Sequence, residues 1–210
     1  MKSYFRSSGF LESSLIKTDS GHQLDLARVS PFLRTLLVMD GTVTKALESW
    51  FWEPVKVIPQ NNMQANQGQI LEREVLLWGE KSSRIFACAR SSVSLDKLPK
   101  NISSALVAGD IGIGELLREK GLESYRELFN INFLKENDIN KKHDSLLATL
   151  VKGVDLSSVD STPGSMTVPS DRFEIISRSY KIWINSQPAI FVTEYFPVSL
   201  YKASYPERSL

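Results

Sequence analysis

Residues 69–78 read Gln-Ile-Leu-Glu-Arg-Glu-Val-Leu-Leu-Trp, residues 79–83 Gly-Glu-Lys-Ser-Ser, and residues 84–93 Arg-Ile-Phe-Ala-Cys-Ala-Arg-Ser-Ser-Val. This is strand, turn, strand. Side chains alternate between the two faces of a strand, so Leu71, Arg73, Val75 and Leu77 share one face while Glu72 and Glu74 take the other. Arg73 stands in an apolar row, where a charge is costly unless it is paired. An anion should meet it there, from the protein or from a ligand.

A second hairpin closes the chain. Its first strand runs from about Arg172 to Ile184, its turn from Asn185 to Pro188, and its return strand from Ala189 to Phe196. Ile176, Arg178, Tyr180, Ile182 and Ile184 share a face, as do Ile190, Val192, Glu194 and Phe196. Arg178 and Glu194 repeat the oddity of Arg73, each a charge on an apolar face. Glu194 can pair inside the sheet with either arginine. Two arginines against one glutamate still leave a positive charge over. A guanidinium grips a carboxylate through a planar fork, so the surplus suits a small carboxylate ligand, and two such forks suit a dicarboxylate.

Between the hairpins lie helical signals. Ser30-Pro31 is a helix start, with Ser as the cap and Pro in the first position; Phe32, Leu33, Leu36 and Leu37 follow on one face. Asp40-Gly41 breaks that helix, and Thr42 opens another carrying Val43, Ala46, Leu47, Trp50 and Phe51. Pro54 ends it, Val55–Ile58 reads as a short strand, and Asn61–Gly68 as a polar loop. Ser94–Leu106 is a connection broken at Pro99. Gly109-Asp-Ile-Gly-Ile-Gly114 leads into a helix closed by Gly121. It lacks the Gly-Lys-Ser/Thr of a phosphate loop, and Leu117 stands where a dinucleotide fingerprint needs its third Gly. Hairpins with helices between them imply an α+β domain, an antiparallel sheet covered on one side. Residues 1–28 read as a polar arm, 29–205 as a single domain, and 130–170 as a flexible insertion carrying a short amphipathic helix at Leu146, Leu147, Leu150 and Val151.

Composition narrows the chemistry. The 210 residues hold 25 Lys plus Arg against 24 Asp plus Glu, a net charge of +1. That balance gives no support for nucleic-acid binding. No stretch approaches the roughly 18 apolar residues of a membrane span, and no secretory leader is visible at the start. The single cysteine, Cys88, forms no intrachain disulfide and reads as a packed strand residue. The two histidines, His22 and His143, sit in neighbourhoods unlike a hydrolase triad. No His, Cys and carboxylate cluster has metal-ligand spacing. The expectation from composition is a soluble, intracellular chain that works without metal or organic cofactor.

The order of these features resembles the chorismate pyruvate-lyase family, and within it the branch found in cyanobacteria and algal plastids. The resemblance spans about residues 29–201. It rests on Leu36-Leu-Val-Met-Asp-Gly-Thr-Val-Thr-Lys45, Leu71-Glu-Arg-Glu-Val-Leu-Leu77, Ala87-Cys-Ala-Arg90, the turn from Gly109 to Leu117, and Thr193-Glu-Tyr-Phe-Pro197. It implies a six-stranded antiparallel sheet with flanking helices, a site under helical flaps, and a monomer that cleaves chorismate to 4-hydroxybenzoate and pyruvate on the way to a prenylated quinone. By the same resemblance Arg73 holds the ring carboxylate and Glu194 meets the ring hydroxyl. Backbone groups near Val43 and Ile113 close over the ring, and Arg178 or Arg90 holds the pyruvyl carboxylate, with Arg178 favoured by its face. Val43 replaces a Met of the better-studied branch, and the 130–170 segment is longer. The alternative is a non-enzymatic domain of the same fold that binds hydroxybenzoate-like anions, as effector domains of some transcription regulators do. A regulator would carry a DNA-binding helix pair ahead of residue 29, and the arm is too short and irregular for one.

Overall fold

The computed structural model describes residues 15–19, 21–109, 111–135, 138–139, 144–155 and 173–201. The first of these form a two-stranded ladder, β1 (Leu15–Lys17) and β2 (Gln23–Asp25). Ile16, Leu24 and Leu26 are buried in the main core. The inner part of the expected polar arm is therefore packed against the domain.

Helix α1 (Pro31–Val38) starts as the sequence indicates: the Ser30 hydroxyl accepts from the Leu33 amide at 3.4 Å, and Pro31 holds the first position. It buries Leu33, Leu36 and Leu37. Helix α2 (Val43–Phe51) buries Val43 and Leu47, and its Phe51 ring stacks on Phe86 with centroids 3.8 Å apart. After β3 (Val55–Ala65), β4 (Ile70–Gly79) and β5 (Ile85–Ser94) come α3 (Lys100–Ala108) and α4 (Ile113–Glu119). Then follow β6 (Ser124–Lys135), α5 (Ser145–Asp155), β7 (Glu174–Ile184) and β8 (Gln187–Pro197).

The six long strands form one antiparallel sheet in the order β3-β4-β5-β8-β7-β6. Both hairpins fall where alternation puts them. Asn185 and Ser186 have φ of 49° and 61°, the left-handed pair that a two-residue turn between twisted strands demands.

Three expectations are corrected. The strand at Val55 does not stop at Ile58: β3 runs on through the supposed polar loop to Ala65, with a bulge between Pro59 and Asn61. It is an edge strand, so its free side tolerates polar residues and Pro59 at an irregularity. Asn130–Lys135 is no insertion but the second half of β6, the opposite edge. The sheet, finally, is covered on both faces. Helices α1 to α4 lie on one, while α5 buries Leu146, Leu147 and Leu150 against Leu76, Cys88 and Ile175 on the other. A Cβ at Gly153 would lie 2.4 Å from Ile85 Cδ1, so glycine is what lets α5 approach β5 this closely. The helix expected at Leu146–Val151 is present; the loop expected at Ser157–Ser170 lies outside the described residues. Among the described residues no helix is long and apolar enough to cross a membrane.

Candidate active site

Pairing across the sheet sets three parallel rows of side chains on the face beneath α1–α4. The first row is Val75, Ala89, Glu194, Arg178 and Ile131; the second is Arg73, Ser91, Val192, Tyr180 and Leu128; the third is Leu71, Val93, Ile190, Ile182 and Arg126. Two apolar clusters divide this face. One gathers α1, α2 and the Leu77 end of β4; the other gathers α3, α4 and the Leu71 end. Their seam holds a cavity with an empty volume of about 610 Å³, its open side included. Ala89 and Ser91 are its floor, and their small size makes the room. The first residues of α2 and α4, including Val43 and Ile113, form its roof.

Arg73 reaches this cavity from β4 and is only 3% exposed. Its Nε donates to Asn62 Oδ1 at 3.3 Å, and its Nη2 donates to the carbonyls of Gly109 and Ile111 at 3.0 and 3.1 Å. All three acceptors are neutral. Burial pulls its pKa below the ordinary value, yet arginine keeps its proton in proteins. The site therefore carries a buried positive charge with no carboxylate beside it among the described residues.

Glu194 is differently placed. Arg178 Nε donates to its Oε2 at 2.7 Å, and the Tyr180 hydroxyl donates to its Oε1 at 3.0 Å. Arg178 also donates from Nη1 to the Met39 carbonyl at the end of α1, 2.8 Å away. Burial is the largest influence on Arg178 and would lower its pKa, but the charges and hydrogen bonds of Glu194 and Tyr180 together outweigh it and the net shift is upward. Burial first, and then Glu194, pushes the Tyr180 phenol up, so it stays a donor. The choice that the sequence leaves open is thus resolved in space: Arg178 takes Glu194, and Arg73 is the arginine left over.

Of the residues singled out from the sequence, Arg73, Glu194, Val43 and Ile113 meet at the cavity. Arg178 does not line it; its guanidinium stands behind Glu194. Arg90 is on the opposite sheet face, where Nε donates to Glu74 at 2.7 Å and Nη1 and Nη2 each donate to Asp144 at 2.5 Å. Neither of these two arginines, between which the sequence leaves the ligand's second carboxylate open, is among the residues that line the cavity; Arg178 Nη2 is buried and makes no hydrogen bond among the described residues. The cation that does line the cavity besides Arg73 is Arg126 on β6. It is not among the residues that the sequence singles out, because the alternation of an edge strand such as β6 is weak. Its signal is the alternation of Arg126 and Leu128 against Tyr125 and Glu127, directly after the turn at Gly121.

Other chemistry is not assembled here. His22 pairs with Asp138 at 3.0 Å, away from the cavity. Cys88 is fully buried on the α5 side, and burial pushes its thiol pKa far up. No group of three or more His, Cys, Asp or Glu that could hold a metal ion occurs among the described residues.

No family model matches the sequence. The chain is similar to a curated protein named chorismate pyruvate-lyase from Mycobacterium leprae (strain TN). The two are 26% identical over 192 residues, covering 85% of this chain and 80% of that protein. A protein of the same name from Mycobacterium tuberculosis (strain ATCC 25618 / H37Rv) is 21% identical over 196 residues, 85% of each. Among solved structures, PhnF from Mycobacterium smegmatis matches with a TM-score of 0.47 at 10% identity, over 77% of this chain and 66% of that one. That likeness is too slight to bear on function.

Proposed function

We propose that this chain is a chorismate lyase, converting chorismate to 4-hydroxybenzoate and pyruvate. The observation that carries the reading is Arg73, a buried cation with no counter-charge beside it among the described residues, opening into the same apolar cavity as the carboxylate of Glu194. The proteins named chorismate pyruvate-lyase, similar over most of the chain, support it. The further expectations belong to the same reading: a branch shared with cyanobacteria and plastids, a product bound for a prenylated quinone, a monomer, and a reaction without metal or organic cofactor.

The chemistry asks little of the protein beyond placement. In chorismate the C3–O ether bond breaks and the C4 hydrogen leaves as a proton. That proton ends on the enolpyruvyl methylene carbon, so the departing group is pyruvate and the ring becomes aromatic. The gain in aromaticity drives the step. Positioning and charge stabilisation supply the rate. Arg73 Nη1, which makes no hydrogen bond among the described residues, is the donor offered to the ring carboxylate. Glu194, held from behind by Arg178 and from the side by Tyr180, offers its remaining lone pairs to the ring hydroxyl. The Val43 and Ile113 ends of α2 and α4 close over the apolar ring.

Incubation of the purified protein with chorismate, followed by separation of the products, tests the reading. The expected result is enzyme-dependent 4-hydroxybenzoate and pyruvate in equal amounts. The 3-hydroxy isomer would overturn the product assignment. No product, with hydroxybenzoates still raising the melting temperature, would leave a binding domain instead.

A further inference from the structure

Chorismate carries two carboxylates, and Arg73 accounts for one. We propose that Arg126 binds the second, that of the enolpyruvyl group, through the edge of its guanidinium formed by Nε and Nη2. This rests on the lyase reading above and assigns within the same cavity a residue that the sequence did not reveal.

Four observations point to that edge. Arg126 lines the main cavity and also the adjoining pocket between α2 and α4, so its guanidinium stands in the wall between them. Its Nη1 is occupied: it donates to the Asp40 carbonyl at 2.6 Å and to Asp40 Oδ1 at 3.2 Å. Its Nε is buried with no hydrogen-bond partner, and Nη2 makes no hydrogen bond among the described residues. Nε and Nη2 point the same way, which is the side-on fork that accepts both oxygens of a carboxylate. Lastly, glycine keeps this edge open, since a Cβ at residue 114 would stand 3.1 Å from Nη2. A buried donor left unsatisfied is costly, and a ligand carboxylate would satisfy two donors at once.

The position also fits the substrate. Arg73 is on β4, Glu194 on β8 and Arg126 on β6, in three successive rows of one face. At about 4.8 Å per strand, Arg126 lies roughly two strands from Glu194 and roughly four from Arg73. Chorismate has the same asymmetry: its ring carboxylate is at one end, and its hydroxyl and enolpyruvyl ether are neighbours at the other. The Asp40 contacts orient the side chain without saturating it, and the guanidinium carbon lies 5.9 Å from the Tyr180 ring centroid, beside the group that steadies Glu194.

The test compares one-carboxylate and two-carboxylate ligands on wild type, Arg126→Gln and Arg126→Lys. For each protein, KM and kcat for chorismate are measured together with the Kd for 4-hydroxybenzoate. Losing a charge-assisted fork should raise KM for chorismate about 10- to 100-fold in Arg126→Gln, with a smaller rise in Arg126→Lys. The Kd for 4-hydroxybenzoate should stay within about threefold, which also shows that the cavity is intact. If both ligands weaken equally, Arg126 is only the clamp on Asp40, and the proposal falls while the lyase reading stands. An unchanged KM for chorismate has the same consequence. If wild-type protein does not act on chorismate at all, the lyase reading and this assignment fall together.

Discussion

Arg73 and Arg178 sit on neighbouring rows of one sheet face and are buried almost alike, at 3% and 2% exposed. Their partners separate them. Arg178 has the Glu194 carboxylate at 2.7 Å, whereas among the described residues Arg73 meets only amide and carbonyl oxygens. Removing one member of a buried ion pair strands the other, at a cost of about 3–5 kcal/mol. Arg178→Met should therefore destabilise the protein by about that much, because Glu194 stays behind. Arg73→Met gives up hydrogen bonds to neutral acceptors but also removes a buried charge that has no counter-ion among the described residues, so its cost should be about 1–2 kcal/mol. Urea unfolding of the two variants side by side reads this directly. Equal losses would make Arg73 a structural anchor rather than a group held for a ligand. The sequence showed that these three residues were out of place on their faces, but not which two would pair, since that depends on the register between β7 and β8 and on the carbonyl of Met39.

At the scale of elements, β4, β5, β7 and β8 were legible because each is a long, largely buried run of strand-forming residues that meets its hairpin partner across a short turn. The edges β3 and β6 were not. Each pairs on one side only, and polar residues on the free side blur the period. Losing β6 from the reading also lost Arg126. Helix α5 was legible as a helix, but its place was not; the place is set by Gly153 against Ile85 and by Asp144. Asp144 both accepts from the Leu147 amide at 3.0 Å, capping the helix, and binds Arg90 from the sheet. Burial is the largest influence on Asp144 and works against its ionised form, but the hydrogen bonds and charge of Arg90 together with the amides of Leu147 and Leu146 outweigh it and hold its pKa below the ordinary carboxylate value. The sign follows from linkage. With a folded pKa depressed below an unfolded value of about 3.9, the stabilisation is complete above that value and is lost as pH falls through the lower, folded one. Asp144→Asn keeps a cap but removes the charge. It should cost about 1 kcal/mol at neutral pH for so partly exposed a pair, and the gap from wild type should close as pH drops below about 4. Denaturation midpoints at pH 7 and pH 3 check it; a gap unchanged by acid would mean that the ion pair contributes nothing.

Across the whole molecule, the strand order β3-β4-β5-β8-β7-β6 brings the last hairpin beside the first. No local pattern carries that order; the resemblance to a family implies six antiparallel strands but not their order across the sheet. Its consequence is that Arg73 and Glu194, 121 positions apart in the numbering, lie two strands and one row apart. That is roughly 12 Å between their Cα positions, with the small residues Ala89 and Ser91 between them. The central claim is that this span is a cation at one end and an acceptor at the other, matched to a para-hydroxylated aromatic carboxylate. Calorimetric titration of 4-hydroxybenzoate, benzoate and phenol into wild-type and Arg73→Ala protein tests it most directly. The expected result is that 4-hydroxybenzoate binds wild type about tenfold or more tightly than either fragment ligand, and that Arg73→Ala, still folded, no longer distinguishes 4-hydroxybenzoate from phenol. Phenol binding wild type as tightly as 4-hydroxybenzoate, or an unchanged preference in Arg73→Ala, would contradict it.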